Sequence, residues 1–211
     1  MWSVAYRVVL IVLTGYLLGN LNGAVSMSTL LAKDDVRSHG SGNAGLTNFI
    51  RNFGGWGAIP VLLIDVVKTV LACLLGGLLL EPYDLRMEGM MIGAAAVSVG
   101  HDFPALLGFK GGKGIVCGVS IAAVIDWRIA LVLILVFFSC YFLTHYVSLG
   151  SILGAAAFGI LFAVLYHDRI VVAVGGVLIG ALAIWMHRAN IARLFSGTER
   201  KSSLFGRGKN R

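Results

Sequence analysis

Four polar segments, each set between long apolar stretches, hold the residues able to do chemistry. The first runs from Arg37 to Arg51 and gathers Gly40, Ser41, Gly42, Asn43, Thr47 and Asn48 ahead of Arg51. Glycines let backbone N–H groups close in on an anion. Ser41, Asn43, Thr47 and Asn48 add side-chain donors, and the Arg51 guanidinium can grip a phosphate through two parallel hydrogen bonds. The second segment, Phe109 to Gly114, sets Lys113 among Gly111, Gly112 and Gly114. A glycine turn whose lysine opens a helix suits an anion. The third, Thr144 to Ser151, offers Ser148 and Ser151 as donors to an oxyanion or a phosphate. The fourth follows the last apolar stretch. If helix continues there, His187, Asn190 and Ile191 share one face, with Arg188 and Arg193 turned toward lipid headgroups. Inside the apolar stretches, Asp65 and Lys68 stand three apart, as a mutual ion pair or as functional groups. His101 beside Asp102 offers proton handling or a structural role.

Several familiar signatures fail on inspection. Residues 40–45 match G-x-G-x-x-G with Asp65 further on, but a dinucleotide fingerprint needs a preceding strand in a βαβ unit. Here the charged pair Asp34-Asp35 precedes it. The Lys113 turn departs from a P-loop at Leu107 and Gly114. No histidine is followed by Asp in the H-x-x-x-x-D spacing of the soluble-headed acyltransferases. Cys73, Cys117 and Cys140 lie in apolar stretches without metal-ligand spacing, so no metal site and no disulfide framework is expected.

The elements that position these segments follow from composition. Of 211 residues, 58% are hydrophobic and 13% charged, about half the charge a soluble domain carries. Lipid is the expected solvent. A bilayer core requires roughly 20 apolar residues per helix. Candidate spans cover about 6–32, 55–80, 88–107, 114–125, 129–146, 150–166 and 170–187. The expected fold is an all-α bundle of about seven spans in a single domain, 1–211. The fourth span is short, so it is tilted, extended by its flanks or re-entrant, and five or six spans remain alternatives. The first stretch reads as a span and not as a secretory leader, because the apolar pattern continues to Ala32. With the N-terminus outside, the inner segments hold twelve Lys and Arg and the outer ones four, with Lys68 inside a span. That asymmetry sets the C-terminus in the cytoplasm. It also puts all four polar segments on the cytoplasmic face, with 199–211 as a basic tail. The net charge of +7 sits in loops and tail, with no soluble basic face for nucleic acid.

The polar segments resemble the bacterial acyl-phosphate:glycerol-3-phosphate acyltransferases. The matching pieces are GSGNxGxTNxxR at 40–51, DxxK at 65–68, GHxFPxxxGFKGGKG at 100–114, YVSLxS at 146–151 and HRxNIxRL at 187–194. They occur in the family's order and touch every inner segment. The resemblance implies seven spans in the bacterial plasma membrane, with the N-terminus outside and the site facing the cytoplasm. It implies acyl transfer from acyl phosphate to the sn-1 hydroxyl of glycerol 3-phosphate, giving lysophosphatidic acid. No metal, coenzyme A, carrier protein or obligate protein partner is implied. Ser41, Arg51, Lys113, His187 and Asn190 then become catalytic candidates. Gly40, Gly42, Asn43, Thr47, Asn48, Lys68, Gly111, Gly112, Gly114, Ser148 and Ser151 become substrate or phosphate ligands. The chain departs from the family at Asn20, Leu46, Thr69, His145 and Ala189. Ala189 replaces a frequent glutamate beside Asn190.

The inventory fits that chemistry. Two phosphates must lie close together, and Arg51, Lys113 and glycine N–H groups offset their repulsion. The acyl carbonyl becomes an oxyanion and needs fixed donors. His187 or the donor's own phosphate takes the hydroxyl proton. Phosphate is already a good leaving group, so neither serine need be a nucleophile. A transporter for a phosphate-bearing anion and a non-catalytic lipid-binding subunit are the rival readings.

Overall fold

Every regular element that the computed structural model shows for residues 3–201, the residues it describes, is helical. Ten α-helices follow in order: α1 (Val4–Gly19), α2 (Gly23–Ala32), α3 (Leu46–Phe53), α4 (Ala58–Leu80), α5 (Arg86–Asp102), α6 (Ile115–Ile125), α7 (Trp127–Thr144), α8 (Val147–Leu165), α9 (Ile170–Met186) and α10 (Arg188–Phe195). The remainder of the expected tail, 202–211, lies outside the described residues.

The first apolar stretch is one span by composition, yet it breaks into α1 and α2 at Asn20-Leu21-Asn22. The break is built from side chains that satisfy the freed backbone. Asn22 accepts from the Val25 N–H at 3.0 Å and so caps α2. Lys68, from α4, donates to the carbonyls of Leu21 at 2.6 Å and Gly19 at 3.4 Å. Asp65, one turn earlier on α4, accepts from Gly23 N–H at 3.3 Å and pairs with Lys68 at 2.7 Å. An interrupted helix in lipid needs such partners, since no water reaches the open groups.

Close helix contacts follow the glycines. Gly15 and Gly19 on α1 sit against α5, and Gly76 on α4 meets Gly89 on α5 backbone to backbone. Gly180 on α9 packs on α8. Small residues permit such approach where lipid supplies no hydrophobic drive. Cys73, Met91, Ile121, Phe158, Phe162 and Val172 form one core between the helices, and the three cysteines are buried and free. A second cluster, Val36, Ala44, Phe49 and Val61, anchors the first polar segment on α2 and α4. Outward-facing positions such as Leu13, Leu78, Leu135, Ile160 and Leu178 are exposed, as a lipid-facing surface requires.

Five stretches, Val4–Ala32, Gly55–Tyr83, Arg86–Leu107, α7 and α8, are long and apolar enough to cross a bilayer. Helices α9 and α10 make a sixth if counted as one span bent by 56°. Helix α6, the expected fourth span, has 11 residues and is about 16 Å long, short of a bilayer core. It ends at Asp126, which also caps α7 by accepting from Arg128 N–H at 3.0 Å.

Candidate active site

The ends of α2, α5, α7 and α9 bring the four polar segments to one end of the bundle. The first segment is organised by Asn48. Its Nδ2 donates to the carbonyls of Val36, His39 and Asn43 at 3.0–3.1 Å, and its Oδ1 accepts from Ser41 N–H at 3.1 Å. Gly40 takes a positive φ of 59° at the crest of this loop. Loop and turn are then stitched together. Ala44 N–H donates to Gly111 O at 3.3 Å, and Arg37 donates to Leu107 O at 2.6 Å while paired with Asp35. Asn22, at the helix break, donates to Ala44 O at 2.9 Å.

The turn before α6 is shaped from below by His101. Gly112 N–H donates to His101 O at 3.0 Å. A Cβ on Gly111 would run into that carbonyl, and one on Gly112 into the His101 ring. The ring's Nδ1 lies 2.8 Å from Lys68 Nζ. A continuous set of contacts therefore runs from the helix break through Lys68 and His101 to the turn that presents Lys113.

Lys113 Nζ donates to Asn190 Oδ1. Asn190 Nδ2 donates to Glu199 Oε1 at 2.8 Å, and Arg193 Nε donates to Glu199 Oε2 at 2.7 Å. Glu199 returns to the site because the chain reverses at Gly197, whose φ is 70°. His187, at the bend between α9 and α10, has its Nδ1 2.8 Å from Ala183 O. A carbonyl only accepts, so Nδ1 carries the proton and Nε2 keeps its lone pair. Ser148 Oγ is buried beside the Glu199 carboxylate without closing a full hydrogen bond, whereas Ser151 Oγ donates to Val147 O at 2.9 Å.

These groups face a cavity of about 610 Å³. Its mouth is lined by Gly40, Ser41, Asn43, Thr47, Asn48, Arg51, Lys113, Gly114, Ser148, Ser151, His187, Asn190, Arg193, Glu199 and Arg200. Its other arm runs between α6, α7, α8 and α9 past the apolar Val119, Leu133, Phe137, Phe138, Phe158 and Ile179, together with Ser120, whose hydroxyl donates to Val116 O at 2.8 Å. The mouth has an excess of positive charge. Burial, then Arg193, with Arg51 and Arg188 adding, pushes the Lys113 ammonium down to about 8 against the pull of Glu199. Burial also lowers Arg51, with Glu199 opposing and Arg200 and Arg193 adding. Burial raises the Glu199 carboxyl, but its polar neighbours Ser148, Asn190 and Arg193 hold it below the usual range. An anion entering here meets cations that are already desolvated and mutually repelling, so its binding is strongly favoured.

The glycerol-3-phosphate acyltransferase family model matches residues 9–197. The chain belongs to the glycerol-3-phosphate acyltransferase family. A glycerol-3-phosphate acyltransferase of Thermoanaerobacter pseudethanolicus is 38% identical over 193 residues, covering 92% of this chain and 94% of that protein. The fold matches a crystal structure of PlsY (YgiH), an integral membrane glycerol 3-phosphate acyltransferase, in its glycerol 3-phosphate form. The TM-score is 0.84 at 30% identity, covering 94% of this chain and 99% of that one. The lysophosphatidic acid form of PlsY gives a TM-score of 0.80 at 29% identity, covering 93% and 95%.

For this acyltransferase, the cavity unites most of the residues that the sequence singles out. Gly42, Gly111, Gly112 and Lys68 stand apart. Gly42 lies on the outer side of the first loop, beside Arg37 and Leu107. Gly111 and Gly112 make room for His101, and Lys68 is 2% exposed and committed to Asp65, His101 and the helix break. Arg193 corrects an expectation: it turns into the cavity and not toward lipid, drawn by Glu199. Its position three residues after Asn190 places it on the same helical face, a signal the sequence held. Asn52 is a further cavity residue that sequence reasoning passed over, and Glu199, placed by sequence at the end of the fourth segment without a role, is another. Glu199 depends on the Gly197 reversal, which periodicity does not reveal.

Proposed function

We propose that the chain transfers a fatty acyl group from acyl phosphate to the sn-1 hydroxyl of glycerol 3-phosphate, releasing lysophosphatidic acid and phosphate. The observation that carries this reading is a single cavity with a cationic mouth and an apolar arm. A donor with a phosphate head and a fatty chain fits both ends at once. The glycerol 3-phosphate and lysophosphatidic acid forms of PlsY, a relative across nearly the whole chain, support the acceptor and the product. An apolar lining disfavours passage of a phosphate-bearing anion beyond the mouth, which argues against a transporter.

In the reaction, the acceptor hydroxyl adds to the acyl carbonyl, and the bond from that carbon to the phosphate oxygen breaks. Arg51 and Lys113 hold the two phosphates, with Arg193 and the first loop beside them. Ser148, whose hydroxyl lies beside the Glu199 carboxylate and can turn to a stronger acceptor, suits the developing oxyanion. The proton leaves for His187 Nε2 or for the departing phosphate. The Ala183 contact leaves the Nε2 lone pair free on the imidazole route. Asn190 fixes Lys113 from one side and Glu199 from the other.

The same reading has the chain cross the bacterial plasma membrane seven times, with α6 as the short fourth crossing and the cavity mouth on the cytoplasmic side. The bias of Lys and Arg supports this orientation. The gathering of the α5 and α7 ends at one mouth supports an outward and return path through α6 and α7. The test uses purified protein in lipid with palmitoyl phosphate and glycerol 3-phosphate, without metal or coenzyme A. Protein-dependent phosphate release and lysophosphatidic acid that vanish with Lys113→Ala are expected. A folded preparation that yields no product across several chain lengths overturns the reading.

A further inference from the structure

Fifteen glycines lie within α-helices, and thirteen of them have a neighbour within 4 Å of where a Cβ would stand. Those thirteen are explained by packing: the helices could not approach so closely with a side chain there. Gly118 on α6 and Gly154 on α8 are the two exceptions, with nothing within 4 Å. Both line the cavity. A helical glycine is destabilising relative to alanine, and no protein atom requires these two to be small. Their emptiness therefore serves something that enters the cavity.

Their depth says what. Gly118 lies five residues beyond Lys113, and Gly154 six beyond Ser148, so both sit roughly 8–9 Å along their helices from the polar mouth. Val119 and Phe158, beside and beyond them, are apolar. At this depth a bound donor presents methylenes and not phosphate. Resting on the acyl-transfer reading, we infer that Gly118 and Gly154 form the throat of the acyl arm and determine which chain lengths pass. A side chain at either position would occupy the path itself. Chains that end above the throat would lose less than chains that must go through it.

The experiment compares octanoyl phosphate with palmitoyl phosphate as donors to glycerol 3-phosphate, reading kcat/KM for each. The proteins are the unsubstituted chain, Gly118→Ala, Gly154→Ala and Gly154→Leu in lipid. The palmitoyl-to-octanoyl ratio should fall about 10-fold or more for Gly154→Leu, the scale on which apolar pockets discriminate by size. It should fall less, but in the same direction, for the two alanine variants. Alanine favours helix, so both alanine variants should unfold at or above the temperature of the unsubstituted protein; they keep the test decisive if the leucine variant fails to fold. An unsubstituted protein that works on both donors, with a ratio the alanine variants do not move, overturns the throat and leaves the acyl-transfer reading intact. No product from the unsubstituted protein with either donor overturns both.

Discussion

Lys68 and Lys113 are both withdrawn from water, yet their surroundings are opposites. Lys68 is enclosed by fixed partners: the Asp65 carboxylate, the carbonyls of Gly19 and Leu21, and the His101 ring. Its charge is answered within the protein. Lys113 has an amide oxygen from Asn190 and is pressed by Arg193, Arg51 and Arg188, with Glu199 as the nearby counter-charge. On the proposed reading a substrate phosphate answers its charge. A buried lysine enclosed by complementary partners is then architecture, and one set among other cations is a phosphate ligand. The two are also coupled, since Lys68 supports His101 and His101 supports the turn that carries Lys113.

The largest effect expected from breaking this contrast is on activity. Lys113→Ala should lower kcat/KM by roughly 100- to 1,000-fold, the scale of removing one preorganised charge donor. The unfolding temperature in lipid or detergent should hardly move, because the variant relieves repulsion among the mouth's cations. A comparable loss of stability would show that Lys113 is architecture too.

The second effect reverses the pattern. Lys68→Met strands Asp65 as an unpaired buried carboxylate and opens the carbonyls at the helix break. It should destabilise the fold by about 3–5 kcal/mol. The double variant Asp65→Asn with Lys68→Met should recover part of that, since the stranded charge is gone. A Lys68→Met protein that unfolds normally but binds glycerol 3-phosphate poorly would move Lys68 to the ligand side of the comparison.

A smaller effect concerns the partner cation. Arg51→Lys keeps a positive charge but loses the planar fork. It should reduce kcat/KM about 10-fold or more if two phosphate oxygens are gripped together. A silent substitution would mean that the mouth needs charge alone, as a lipid-binding subunit would.

The contrast between the lysines was only partly legible in the sequence. Apolar length marked the helices, and loop chemistry marked Arg51, Lys113, His187 and Asn190, because polar residues between spans carry few other duties. The sequence also left Asp65 and Lys68 open between an ion pair and a working pair, since spacing of three reports a shared face but not what lies opposite. What lies opposite is the Asn20–Asn22 break, hidden inside an apolar run with normal composition. Glycine identity was equally ambiguous. Gly111 and Gly112 read as a phosphate cradle, and the position of His101 adds a packing reason that the sequence does not hold. Gly118 and Gly154 stand in apolar runs like the packing glycines, and only the structure separates them, with no neighbour within 4 Å and both lining the cavity.

The finest discrimination between the two lysines comes from pH. Burial and the neighbouring arginines lower the Lys113 ammonium from its ordinary 10.5 to about 8. If the charged form binds phosphate, kcat/KM should be level below about pH 8 and fall toward tenfold per unit above it, since that parameter reports the free enzyme. Stability should move the other way. Above pH 8 the folded protein sheds a proton that the unfolded chain still holds, so this group's contribution to stability rises with pH up to about 10.5. Bound glycerol 3-phosphate supplies the missing anion and raises the ammonium again, so the fall in kcat should lie at higher pH than the fall in kcat/KM. Lys113→Arg keeps a cation that does not titrate in this range, and its residual activity should lack the alkaline fall. A fall that persists unchanged in Lys113→Arg would assign it to another group and remove the titration of Lys113 from the mechanism.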